Sequence, residues 1–82
     1  MASAMHEVVL FTKAGCHLCD HAKAAIVALR AKVEFGFREV DITLDAELFE
    51  EHQFDIPVVE VDGRRACKHR VDAPALLARL SA

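Results

Sequence analysis

The stretch His6-Glu7-Val8-Val9-Leu10-Phe11-Thr12, followed by Lys13-Ala14-Gly15 and then Cys16-His17-Leu18-Cys19, decides the fold. Its first part is a short apolar run closed by a turn signal, which reads as a buried strand. Behind the turn, Leu18, Ala22, Ala25, Ile26 and Leu29 recur with a period near 3.6, and alanines at 22, 24, 25, 28 and 31 raise helix propensity. This helix is expected to fade at Arg30–Lys32, where basic side chains suit the negative end of its dipole. The two cysteines therefore stand where a strand hands over to a helix.

Working outward, Val33–Asp41 alternates Val33, Phe35 and Phe37 with Glu34, Gly36 and Arg38, the period of a second strand. Thr43 or Asp45 is suited to cap a short helix running to about His52, with Leu44, Leu48 and Phe49 or His52 on its inner face. Val58–Val61 reads as a third strand, Asp62-Gly63 as a type I′ turn and Arg65–Lys68 as a fourth strand. Asp72, with Pro74 just inside, starts a last helix bearing Leu76, Leu77 and Leu80. The order β-α-β-α-β-β-α implies an α/β domain: a mixed four-stranded sheet with three flanking helices. Its first βαβ unit is expected to be a parallel crossover.

Composition narrows the class. Eighty-two residues leave room for one domain, expected over residues 6–82 behind a short N-terminal extension, residues 1–5. High apolar content (54%) with a net charge of -3 argues against disorder. Three cysteines are too few, and odd in number, for a disulfide-stapled secreted scaffold. Val8–Phe11 is far short of the roughly 20 apolar residues a membrane span needs. Met1–Met5 is followed by His6 and Glu7 and does not read as a signal peptide. Cytoplasmic residence is the expectation, with no membrane association. Negative charge and the absence of Trp and Tyr fit nucleic-acid binding poorly.

Cys16 and Cys19, at i and i+3 on one helix face, are spaced to form a disulfide with little adjustment. Cys16 falls at the helix N-terminus, where free N–H groups and the dipole favour a thiolate. A thiol of pKa ~8.5 is only about 3% ionised at neutral pH, against about 90% for one near 6. Cys16 is thus the expected nucleophile, and Cys19, one turn deeper, the resolving thiol. Lys13 and His17 are candidates to support the thiolate, or are simply solvated. Ile56-Pro57 is either an ordinary trans junction or a cis bond. A cis bond would turn the Ile56 N–H and C=O outward to align a substrate backbone beside Cys16, and spacing alone does not choose.

Phe11-Thr12-Lys13-Ala14-Gly15-Cys16-His17-Leu18-Cys19 and the alanine-rich helix behind it resemble the active-site segment of glutaredoxin-like members of the thioredoxin superfamily. Asp55-Ile56-Pro57-Val58 resembles their cis-proline segment, and Val61-Asp62-Gly63 their hairpin. The likeness runs from about Glu7 to Leu80. It implies the thioredoxin fold in its glutaredoxin-like form, dithiol–disulfide exchange through Cys16 and Cys19, Pro57 in cis, and Lys13 as a contact for a glutathione carboxylate. It also implies a disulfide-containing protein or small-molecule disulfide as substrate. The reductant would be glutathione or a thioredoxin-reductase-type enzyme. No resident cofactor is expected, glutathione being a candidate co-substrate, and the chain is expected to be a monomer. Two departures bear on glutathione. His17-Leu18 stands where glutaredoxins usually carry proline and an aromatic residue. Ala66–Asp72 lacks their Gly-Gly pair, so bulky side chains there should obstruct the usual glutathione contact.

Competing readings remain at this level. A metal-binding module would draw on Cys16, Cys19 and His21 with His69 or Cys67 for zinc, or bridge an iron–sulfur cluster through Cys16. A non-catalytic docking domain would lack a reversible Cys16–Cys19 disulfide. Cys67 reads as a small buried strand residue. The basic run Arg64–Arg70 reads either as a solvated face or as a rim for an acidic ligand.

Overall fold

The run of buried residues in the first strand follows from its place inside the sheet. In the computed structural model, which describes residues 5–81, β1 (Glu7–Thr12) has a strand on each side and a core on each face. Val8 and Leu10 enter one core, and Val9 and Phe11 the other. That is why the strand reads as continuous rather than alternating. The N-terminal extension expected over residues 1–5 and the last residue of the expected domain fall largely outside the described residues, only Met5 of the former being among them.

After β1 come α1 (His17–Leu29), β2 (Gly36–Asp41), a 3₁₀ turn at Ile42–Leu44, α2 (Ala46–His52), β3 (Val58–Val61), β4 (Arg64–Lys68) and α3 (Ala73–Ser81). The strand order is β2-β1-β3-β4. β1 is parallel to β2 and antiparallel to β3, and β3 is antiparallel to β4. This is the mixed sheet with three helices that the sequence implies. Helices α1 and α3 cover one face, packing Ala22, Ile26, Leu29, Leu76 and Leu80 on Val8, Leu10, Val59 and Val61. On the other face Ile42 and Val58 join Val9 and Phe11, with Leu48 and Phe49 of α2 against them.

Turn and cap chemistry falls where expected. Asp62 and Gly63 both take positive φ, 53° and 84°, as a type I′ hairpin requires. Asp45, rather than Thr43, caps α2, its carboxylate accepting from the N–H groups of Glu47 and Leu48. Asp72 accepts from Ala75 N–H at 3.1 Å at the start of α3.

Four expectations are corrected. β2 begins at Gly36, not Val33: its pairing with β1 starts at Glu7–Gly36, so residues 33–35 have no strand to join. The buried stripe of α1 is Cys19, Ala22, Ile26 and Leu29, while Leu18 is 45% exposed. Cys19 takes the inward position, which turns Leu18 aside by one helical step of about 100°. Leu44 belongs to the 3₁₀ turn ahead of α2 and is 84% exposed; His52 fills the inner face instead. Cys67 is half-buried rather than buried, because β4 is an edge strand. Its strand also carries a bulge at Ala66, since Val59 pairs with Cys67 but Glu60 pairs with Arg65.

Candidate active site

The C-terminal end of β1 sets the site. Gly15, at φ 80°, turns the chain in a conformation few other residues adopt, and Cys16 follows as the extended N-cap of α1. The Cys16 carbonyl accepts the first helical bond, from Asp20 N–H at 3.2 Å. Its Sγ accepts from Cys19 N–H at 3.1 Å, taking the part an oxygen plays at most helix starts. The sulfur therefore sits where helix N–H groups and the positive dipole end converge.

Cys16 and Cys19 are joined in a disulfide, with Cα atoms 5.2 Å apart. The pair is asymmetric: Cys16 is half-buried, and Cys19 is 2% exposed among the core residues. The Ile56–Pro57 peptide is cis, as the family resemblance implies, and Pro57 is buried. β1 and β3 run antiparallel with Phe11 opposite Val58. Continuing that register sets Pro57 level with Thr12, at the sheet end where Cys16 begins α1.

Lys13 and His17 are both exposed. Lys13 lines a shallow acidic cleft with Thr12, Gly15, Asp20, Glu39 and Asp41. In that cleft the Thr43 hydroxyl and then the Thr43 N–H donate to Asp41, holding its carboxyl below the ordinary 3.8. Among the described residues neither the Lys13 nor the His17 side chain makes a hydrogen bond to a cysteine. Cys16, Cys19, His21, His69 and Cys67 do not assemble as a zinc set: among the described residues no three His, Cys, Asp or Glu gather to hold a metal. No helix among them is long and apolar enough to cross a membrane.

Three features escape sequence reading. His69 takes a positive φ of 67° and donates its N–H to the carbonyls of Pro57 at 2.8 Å and Asp55 at 3.2 Å, tying the end of β4 to the proline loop. Its only sequence signal is that histidine enters this backbone region more readily than most residues. A groove of about 380 Å³ opens beside the Cys16–Cys19 turn, between α1 and the loop into α3. Finally, the sequence offers His52 for the inner face of α2, and it is 2% exposed there, but nothing in the sequence signals its stack on Phe11, with ring centroids 4.5 Å apart.

A strand-to-helix cysteine pair facing a cis-proline strand on this sheet defines a glutaredoxin-like protein with the thioredoxin fold. The chain belongs to the family described as Glutaredoxin-like domain (DUF836), whose model matches residues 7–81. Among solved structures, an X. campestris protein is 34% identical, with a TM-score of 0.74, over 90% of this chain and 95% of its own. The solution structure of Ne2328 from Nitrosomonas europaea superimposes with a TM-score of 0.84 at 22% identity, covering 98% of this chain and 96% of that one. The glutaredoxin-like NrdH-redoxin from Escherichia coli, described as having a thioredoxin-like activity profile, gives a TM-score of 0.63 at 22% identity over 90% and 93%.

Proposed function

We propose that the chain is a thiol–disulfide oxidoreductase in which Cys16 is the nucleophile and Cys19 the resolving thiol. The observation that carries this is the asymmetric pair at disulfide distance, with the more exposed sulfur at the N-cap of α1. In the reduced protein the Cys16 thiolate attacks one sulfur of a substrate disulfide. A Cys16–substrate disulfide forms and the other substrate sulfur leaves as a thiolate that takes a proton. Cys19 then gives up its proton and attacks Cys16 Sγ, forming the Cys16–Cys19 disulfide and releasing the second substrate thiol. Two electrons and two protons pass to the substrate. An external thiol reductant restores the pair.

Pro57 and the Ile56 backbone form the edge along which the substrate chain would lie, Lys13 would add positive charge at the rim, and His17 would offer a ring N–H donor. The electron donor is a thioredoxin-reductase-type enzyme or glutathione. The thioredoxin-like profile described for NrdH-redoxin favours the first, as does the glycine-free stretch Ala66–Asp72. A monomer in the reducing cytoplasm suits this chemistry.

Cys16→Ser should abolish reduction of a disulfide substrate, and Cys19→Ser should accumulate the mixed disulfide on Cys16, seen as a mass adduct on the intact protein. Undiminished turnover by Cys16→Ser would refute the assignment. A thiol-alkylation titration should show one reversible two-electron couple for the pair; its absence would favour the docking-domain reading.

A further inference from the structure

The sheet gathers four chain segments at one end: the turn after β1, the 3₁₀ turn after β2, the loop before β3 and the loop after β4. One of them, the loop after β4, walls the groove beside the cysteines together with the first turns of α1. Its floor is apolar, from Leu18, Ala22 and Val71, and its rim carries His21, His69 and Arg70. Leu18 stands between the two cysteines in the chain, and the His69 N–H is bonded to the Pro57 carbonyl, so residues that line the groove link it to the cysteine turn and to the proline edge.

The cations of the basic run divide by their partners. Arg65 and Lys68 both face Asp55, at 3.6 and 4.0 Å. Arg64 lies at the far end of β4, in the hairpin. Arg70 is exposed and its N–H donates to the Lys68 carbonyl at 2.7 Å, but its guanidinium makes no ion pair or hydrogen bond among the described residues, although it stands on the groove rim. Its guanidinium is therefore the fixed positive charge of the run that faces outward beside the site. A fork of five N–H donors suits a carboxylate.

We propose that this groove selects the substrate: it takes a polypeptide segment flanking the target disulfide that carries an apolar side chain and, beside it, a carboxylate. The apolar side chain settles on Leu18, Ala22 and Val71, and the carboxylate meets Arg70. The inference rests on the exchange chemistry proposed above and adds no chemical step to it. Glutathione supplies carboxylates but no apolar side chain, since its cysteine is spent in the disulfide and its glycine has none. It would leave the apolar floor uncovered, whereas a protein segment satisfies floor and rim at once.

The test uses three disulfide substrates with the full chain: a peptide disulfide flanked by leucine and glutamate, the same peptide with lysine for glutamate, and glutathione disulfide. Reduction of 2-hydroxyethyl disulfide is followed in parallel and reads the exchange chemistry alone. The wild type should prefer the acidic peptide over the basic one by roughly fivefold in kcat/KM, as a rim ion pair allows, and the preference should shrink as salt screens it. Arg70→Glu should invert that ratio, and Leu18→Ser should lower kcat/KM for both leucine-bearing peptides relative to that for glutathione disulfide, which has no apolar side chain to lose a contact. Turnover of 2-hydroxyethyl disulfide with equal rates on both peptides would overturn the groove assignment. So would faster reduction of glutathione disulfide than of the acidic peptide. A protein that reduces none of the four overturns the exchange chemistry instead.

Discussion

A three-residue spacing gives Cys16 and Cys19 different surroundings, because one precedes the helix and the other sits on its buried stripe. The same logic applies to His52. Its ring stacks on Phe11 at 24° to it, but Nδ1 is buried without a partner among the described residues, and Nε2 lies 3.9 Å from the exposed Glu51 carboxylate. One long contact to a solvated carboxylate is worth little, while an unmet buried nitrogen costs on the order of 1–3 kcal/mol. His52→Phe keeps an aromatic stack and removes the nitrogen. It should therefore raise unfolding stability by about 1 kcal/mol, read as a higher urea midpoint. A lower midpoint would mean that the imidazole makes a contact phenylalanine cannot replace.

At the scale of elements, the hairpin is tied to the first strand through one carboxylate. Asp62 accepts from Glu7 N–H at 2.9 Å and contacts His6, and these bonds, the backbone one first, hold its carboxyl below the ordinary 3.8. A carboxyl lowered in the folded state contributes stability above its unfolded value, and that contribution is lost as pH falls through the folded value. Stability should therefore fall more steeply with acid below about pH 4 in the wild type than in Asp62→Asn. Parallel slopes in urea melts across that range would rule the tie out. Element identity was legible in the sequence because turn chemistry and periodicity are local: Asp62-Gly63 marked the hairpin and Asp72 the last cap. Phase and length were less so. Leu18 and Cys19 are adjacent apolar residues, and which one turns inward depends on where the N-cap falls. The start of β2 depends on where β1 begins. Of the site, the Cys16–Cys19 pair was legible because two sulfurs three apart on a helix need no distant partner. The groove was not, since residues 18–22 and 69–71 meet only through the sheet.

Across the whole molecule, one sheet separates two apolar cores of unequal size: among the described residues, ten buried hydrophobic ones gather with α1 and α3 and four on the α2 side. Ile26 and Ile42 are both fully buried, one in each. Replacing either by alanine removes the same atoms, so the difference reads how far each side can collapse into the cavity. Ile26→Ala should cost about 3–5 kcal/mol and Ile42→Ala about 2–3, by chemical denaturation. Against a total of roughly 4–12 kcal/mol for a domain of this length, the first variant should be marginal at room temperature. Equal losses would show that the small core is as tightly held as the large one. The backbone at His69 has a consequence of another kind. It is already wound in the left-handed sense, the conformation a glycine adopts at no steric cost, and its N–H already anchors the proline loop. Exchanging this one side chain for a hydrogen would leave the path of the main chain unchanged while baring it to a ligand.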